Sequence, residues 1–264
     1  MISPSQTDTV IPATPSTRET RPACDLIPAS EYTLEELTDA YNRARSDYIV
    51  PMPMNVARMQ AYIDSYDLSL ERSVVASNSG DVVGLAMLGV RPDHTWITRL
   101  GVIPNKRRVG AGRSMMTYEI DQSRDLGVDH IMLEVIKNNV PAHTLFCSLG
   151  FTETRELLIL RRPPGLPTGE APIYAVKYGG EARALELLSQ RESRPSWLDE
   201  YSSLENAGDL ACLEVALPDG SRGWLTYQVT VFQLGRLVLQ TEVGDPASVA
   251  AALAHALHTR YPEK

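Results

Sequence analysis

Long hydrophobic runs are missing from this 264-residue chain. No stretch approaches the roughly 18 consecutive apolar residues that a membrane-crossing helix needs, so no membrane partner is expected. Nor does a basic-then-apolar leader open the chain, and the expected location is cytoplasmic. Cysteine is scarce. Cys24, Cys147 and Cys212 lie far apart, an odd and scattered set that argues against a disulfide framework and against a zinc site. His94, His130, His143, His255 and His258 add no metal spacing to them, so no metal is expected. Positive charge is in deficit, with 25 basic residues against 33 acidic ones and a net charge of -8. A general nucleic-acid binder leans the other way, because neutralising phosphates drives that binding. What is left is an ordinary globular composition, 43% hydrophobic and 22% charged. The length suits one large or two small domains.

Residues 1–22 are poor in core-formers; twelve of the 22 are Pro, Ser or Thr. Such a segment buries too little apolar surface to offset its ordering entropy, so it is expected to be a disordered tail. Thr33 then reads as an N-cap with Glu35 and Glu36 in the first turn, and Leu34, Leu37, Ala40, Tyr41 and Ala44 follow at helical spacing. A second helix is predicted over 56–66. The period then shortens. Strands are predicted over 73–77, 82–90 and 95–102, with Asn78-Ser79-Gly80-Asp81 as the first turn. A Gly-rich junction and a long helix come next, then a strand over 130–136, a short helix over 141–149 and a strand over 152–161. Pro163-Pro164-Gly165-Leu166-Pro167 has linker chemistry. Beyond it a helix over 182–190, three strands (210–217, 222–231, 236–242) and a last helix started by Asp245-Pro246 are predicted.

The informative stretch is the junction after 95–102. There Arg107-x-x-Gly110-x-Gly112 opens a helix, with Lys106, Arg108 and Arg113 around it. A helix N-terminus offers unpaired N–H groups and partial positive charge, and glycine lets an anion approach the backbone. The product is a pyrophosphate cradle. A P-loop would need Gly-Lys-Ser/Thr, yet Gly112 is followed by Arg113-Ser114; a dinucleotide fingerprint has different glycine spacing. Taken alone, the loop could equally be a Gly-rich turn in a basic patch.

It does not stand alone. Asn139-x-x-Ala142-x-x-Leu145-Phe146-x-x-Leu149-Gly150-Phe151 follows about 30 residues on, after another strand. Together with Val102-x-Pro104 and Arg107-x-x-Gly110-x-Gly112, residues 25–162 resemble the GNAT superfamily of N-acetyltransferases. The resemblance implies an α+β fold, with a twisted mixed sheet whose two central parallel strands, 95–102 and 130–136, splay apart. It implies acetyl-CoA as the acyl donor, lying in the opening. The backbone of Leu100, Gly101 and Val102 would bind the pantetheine arm. Arg107, Arg108, Val109, Gly110, Ala111, Gly112 and Arg113 would hold the pyrophosphate, chiefly by backbone N–H groups from Arg108 onward. Asn139 would hydrogen-bond the cofactor arm, and Ala142 and Phe146 would line it.

The implied reaction is direct attack of an amine on the thioester, with an N–H near Val102 as the natural oxyanion donor. Phe146 departs from the family pattern, in which that position is often a tyrosine acting as general acid. A thiol of pKa about 8.5 is already a fair leaving group, so the loss is tolerable. The chain is then a slower enzyme, an enzyme with another donor, or an acyl-CoA-binding protein without turnover. An interaction module whose basic loop meets an acidic partner is a further alternative. For a base, the 95–102 strand offers Trp96, Thr98 and Arg99 but no carboxylate. Glu134 on the neighbouring strand is the candidate; its plainer reading is a solvated or salt-bridged strand residue. A weak base favours an acceptor that is already partly neutral. A lysine-like amine is neutral in about one molecule in 2,500 at pH 7, an α-amine in about one in seven. The expected acceptor is therefore a small molecule or peptide with an α-amine or another low-pKa amine. Met52, Met54 and Met59 could line the acceptor cleft or the core.

The organisation expected is a tail (1–22), an acetyl-CoA-binding catalytic domain (23–162), a linker (163–169) and a smaller α+β domain (170–264). In layout the last resembles a degenerate second GNAT-like half. Its junction, Gln240 to Pro246, has one glycine and two acids, which would repel a pyrophosphate. Its expected role is to wall off the acceptor cleft or to form a homodimer interface.

Overall fold

The computed structural model describes residues 6–10 (backbone), 24–128, 130–168 and 170–264. The chain divides into two compact units, Met1–Leu160 and Arg161–Lys264. In the first, seven strands form one mixed sheet: β1 (Gln6–Val10), β2 (Asp25–Pro28), β3 (Leu68–Asn78), β4 (Asp81–Val90), β5 (His94–Val102), β6 (His130–Ile136) and β7 (Thr152–Leu157), in the order β2-β3-β4-β5-β6-β1-β7. Four helices accompany them: α1 (Leu34–Ala44), α2 (Val56–Ser65), α3 (Ala111–Asp125) and α4 (Val140–Ser148).

Local chemistry accounts for many of the boundaries. Thr33 and Glu36 form a reciprocal cap on α1, the Glu36 amide donating to Thr33 Oγ1 (3.2 Å) and the Thr33 amide to Glu36 Oε2 (2.8 Å). The β3–β4 hairpin turns through Ser79 (φ 52°) and Gly80 (φ 84°), the pair of positive φ values that matches the twist of the flanking strands. Asn138 (φ 75°) makes the turn from β6 into α4; a short polar side chain tolerates that conformation best after glycine.

The described strand Gln6–Val10 corrects the expectation of a disordered tail for those five residues. It pairs antiparallel with β6 on one side and β7 on the other. Thr7, Thr9 and Val10 are β-branched residues suited to a strand, and the segment composition concealed two waiting strand edges. The remainder of the predicted tail lies outside the described residues.

Two features of β5 shape everything that follows. Its parallel pairing with β6 runs only from His94↔His130 to Trp96↔Met132. Beyond that point β5 stays with β4 as far as Val102↔Gly84, while β6 pairs with β1. The two strands therefore part, as the resemblance implied. The second feature is a bulge. Thr98 lies opposite Met87 and Gly101 opposite Leu85, so Arg99 and Leu100 together oppose Ala86. Arg99 takes the positive φ (54°).

Side chains alternate about this sheet. Ile97, Leu133 and Val135 pack with Met116 and Ile120 of α3 and Phe146 of α4 in one buried cluster. Fully burying side chains of this size stabilises by about 1.5–3 kcal/mol each. On the other face, Tyr41 and Met59 from α1 and α2 are buried, and the Gly101 backbone passes so close to α1 that an added Cβ would lie 3.0 Å from Ala44 Cβ.

The second unit has a four-stranded sheet in the order β11-β10-β9-β8, from β8 (Ala175–Gly179), β9 (Leu210–Ala216), β10 (Arg222–Val229) and β11 (Leu234–Val243). Each of its pairings is antiparallel. Three helices accompany it: α5 (Glu181–Ser189), α6 (Tyr201–Ala207) and α7 (Pro246–Arg260). α7 packs on Leu213, Val215, Leu225 and Tyr227. α5 and α6 pack with Leu210, Cys212, Trp224 and Val238. Three strands were expected here; β8 is the fourth, a short and largely exposed edge strand that carries little periodic signal. Among the described residues no helix is long and apolar enough to cross a membrane.

Candidate active site

After Val102 the chain makes a single 3-10 turn at Pro104–Lys106, then Arg108 (φ 68°) and Gly110 (φ 88°) enter the left-handed region before α3 begins at Ala111. Gly110 is the N-cap, and no side chain caps this helix. The Ser114 amide finds Gly110 O at 3.0 Å. Among the described residues, no acceptor faces the amides of Arg108, Val109, Gly110, Ala111, Gly112 and Arg113. They crown a helix N-terminus at the end of the strand that has parted from β6, a place where an anion is favoured. Free amides and a partial positive charge suit a pyrophosphate such as that of acetyl-CoA.

The cations of the loop are not equivalent. Arg107 is already engaged, its two terminal nitrogens each 2.7 Å from an Asp47 oxygen and its Nε 2.9 Å from Val102 O. That pairing holds the Asp47 carboxyl below the usual carboxylate range. Lys106 Nζ donates to Val82 O (2.9 Å), and Arg113 donates to Ser148 Oγ (2.6 Å), joining α3 to α4. Arg108 is exposed and has no ion-pair partner among the described residues. The loop thus offers backbone amides first and one open guanidinium second. The brace on Arg107 was hidden in the sequence, because Asp47 is 60 residues away.

Along the opening, Leu100, Gly101 and Val102 are half-buried on the β5 edge that β6 leaves. Gly112 faces Val102 and Leu145 at ordinary contact distance. Asn139 is the N-cap of α4 without a side-chain cap bond, half-buried beside Ala142. Phe146 is 7% exposed and meets Phe151 edge-on, ring centroids 6.1 Å apart. It is foremost a core residue.

Glu134 and Trp96 meet across the parting strands, the indole N–H donating to Glu134 Oε2 at 2.5 Å. Around them stand Tyr66, 5.9 Å from Trp96 between ring centroids, and Tyr62, 4.7 Å from Tyr66. Tyr62 shares a hydrogen bond with Thr98 (2.9 Å). Burial pushes its phenol up to about 12, against the downward pull of the Arg99 guanidinium. Met59 is fully buried in the core, whereas Met52 is 40% exposed. The Met52 and Met54 backbone is pinned by Tyr41 and Asn42. No group of three or more metal-binding side chains occurs among the described residues.

Parted parallel strands and an uncapped glycine-started helix at the end of the first are the features that the GNAT resemblance implied for the fold. Residues 34–151 match the model of the acetyltransferase (GNAT) family. Two curated relatives share 32% identity: a mycothiol acetyltransferase of Thermomonospora curvata over 91 residues, and the ribosomal protein bS18-alanine N-acetyltransferase of Escherichia coli over 77. These stretches are 34% and 29% of this chain, and span 31% and 52% of the respective relatives. A solved protein of Pyrococcus horikoshii, described only provisionally as an acetyltransferase, superposes with TM-score 0.51 at 13% identity, covering 96% of this chain and 81% of its own. That likeness concerns the fold alone.

Proposed function

We propose that the chain is a cytoplasmic N-acyltransferase that moves an acetyl group from acetyl-CoA to an α-amine or another low-pKa amine. The observation that carries this reading is the run of open amides from Arg108 to Arg113 at the mouth of the gap between β5 and β6. In the reaction the acceptor nitrogen attacks the thioester carbonyl carbon, the C–N bond forms, and the C–S bond breaks to release thiolate. Glu134 takes the proton that the nitrogen loses. The oxyanion finds a backbone N–H on the free flank of β5. With Phe146 lacking a proton to give, the thiolate departs on its own acidity. The relative named for acetylating an alanine of a ribosomal protein supports an α-amine acceptor.

The second unit enters this reading as a non-catalytic companion, a degenerate half. Its sheet has no parallel pair among the described residues, hence no comparable gap. The missing hydroxyl at Phe146 favours one alternative, an acyl-CoA-binding sensor without turnover. Titration calorimetry with acetyl-CoA, paired with thiol release across an amine panel, tests both. Binding together with amine-dependent release is the expected result. Binding without release on any amine would favour the sensor, and absence of binding would overturn both. Clear preference for lysine side chains over matched α-amines would remove the acceptor assignment.

A further inference from the structure

The bulge in β5 does something that regular pairing could not. A strand sends successive side chains to opposite faces. Ile97 and Leu100 pack towards α3. With the bulge between them, Thr98 and Arg99 both turn to the face covered by α1 and α2, where Thr98 meets Tyr62 and Arg99 meets Tyr41 and Tyr62. Glu134 belongs to the same face, since its indole partner Trp96 sits there one residue before Ile97. A guanidinium and a carboxylate thus flank the opening from its two diverging strands.

Arg99 is held as a cation without an anion. Its guanidinium carbon lies 3.9 Å from the Tyr62 ring centroid and 5.3 Å from that of Tyr41. Nη1 donates to the Tyr41 hydroxyl at 3.2 Å, which in turn donates to Met52 O at 3.1 Å. Nε is buried with no hydrogen-bond partner. No carboxylate of the described residues pairs with it. A half-buried charge on aromatic faces keeps its attraction for an anion, because water screens it poorly. The backbone adds a second argument. Arg99 occupies the left-handed region, where glycine would sit without strain and an arginine does not. Residues held in such conformations cluster where a side chain has a task.

We infer that Arg99 receives a carboxylate of the acceptor, so that the amine acetylated belongs to an amino acid or another molecule carrying both groups. The inference rests on the reading of the site as an N-acyltransferase and deepens it: Glu134 takes the amine end and Arg99 the acid end. A charged, two-pronged hydrogen bond to an acid is lost when that acid becomes a carboxamide.

The test compares amino acids with their carboxamides in matched pairs. Wild-type protein saturated with CoA should bind the acids at least about tenfold more tightly by calorimetry, and acetylation should show the same ratio in kcat/KM, carried by KM. Arg99→Gln should bring the ratio near one, while Arg99→Lys should restore part of it. Acetyl-CoA titration of each variant shows that the donor site is intact, and thermal melting shows that the fold is. Equal binding of acid and amide by the wild type would overturn the inference, as would a preference that survives Arg99→Gln. Failure of acetyl-CoA to bind at all is a different result, one that removes the acyltransferase reading itself.

Discussion

Arg107 and Asp47 are locked together end to end, each carboxylate oxygen of the acid 2.7 Å from a nitrogen of the base. The pair ties the segment after α1 to the loop before α3. An arginine in a basic, glycine-rich loop invites assignment to a phosphate, and here its charge is already taken.

Asp47→Ala should therefore act on the loop more than on stability. The pair is partly exposed, so its loss should cost about 1 kcal/mol or less. Acetyl-CoA affinity should still fall, because the released arginine no longer fixes the loop. The pH dependence has a definite sign. The folded carboxyl titrates below its ordinary value, so the contribution is present above that value and fades as pH drops through the lowered one. Melting curves from pH 3 to pH 7 for wild type and variant check this.

Gly110→Ala addresses the amides directly. The residue sits at φ 88° as the helix N-cap, and a Cβ in that region costs roughly 1–2 kcal/mol. If the backbone shifts to relieve the strain, the neighbouring amides turn with it. Weaker acetyl-CoA binding, by about tenfold or more, is expected in calorimetry, with at most a small fall in melting temperature.

Glu134→Gln separates proton transfer from binding. A positioned base is typically worth 10²–10⁴-fold. The variant should lose about that much in kcat and keep its acetyl-CoA dissociation constant. Trp96→Phe removes the indole that orients the carboxylate and should show a smaller loss. A kcat unchanged in Glu134→Gln at every pH would exclude the role.

Glu119 on α3 has no exposure, and neither carboxyl oxygen has a hydrogen-bond partner. Burial holds its pKa well above the ordinary carboxylate value. The folded state thus keeps a proton that the unfolded chain gives up. Stability should be greatest below the ordinary value of about 4.3 and decline as pH rises towards the raised one. Glu119→Leu should flatten that decline and stabilise the protein at pH 8 by about 1–3 kcal/mol, the cost of an unsatisfied buried polar group. Urea melts at pH 5 and pH 8 provide the comparison.

Much of this architecture is legible residue by residue. The turn at Ser79-Gly80 and the cap at Thr33 mark real boundaries, because local geometry imposes them; the change of period was expected at residue 73, whereas β3 already begins at Leu68. What stayed hidden depends on distant partners. Ala175–Gly179 becomes a strand only when β9 is beside it. Arg99 reads as one more basic residue until the register against β4 reveals two residues facing one. Arg107 reads as a phosphate ligand until Asp47 arrives. The glycine-started helix at Gly110 was visible because a helix start, its glycine and its charges are consecutive in sequence.

The short register between β5 and β6 leaves the protein structurally unfinished by design. Among the described residues, no strand pairs with the β6-side flank of β5 beyond Trp96, and a ligand with a matching extended edge would complete the ladder there. Amide protons along β5 should exchange more slowly as that ligand accumulates, and the native state should deepen with the logarithm of its concentration.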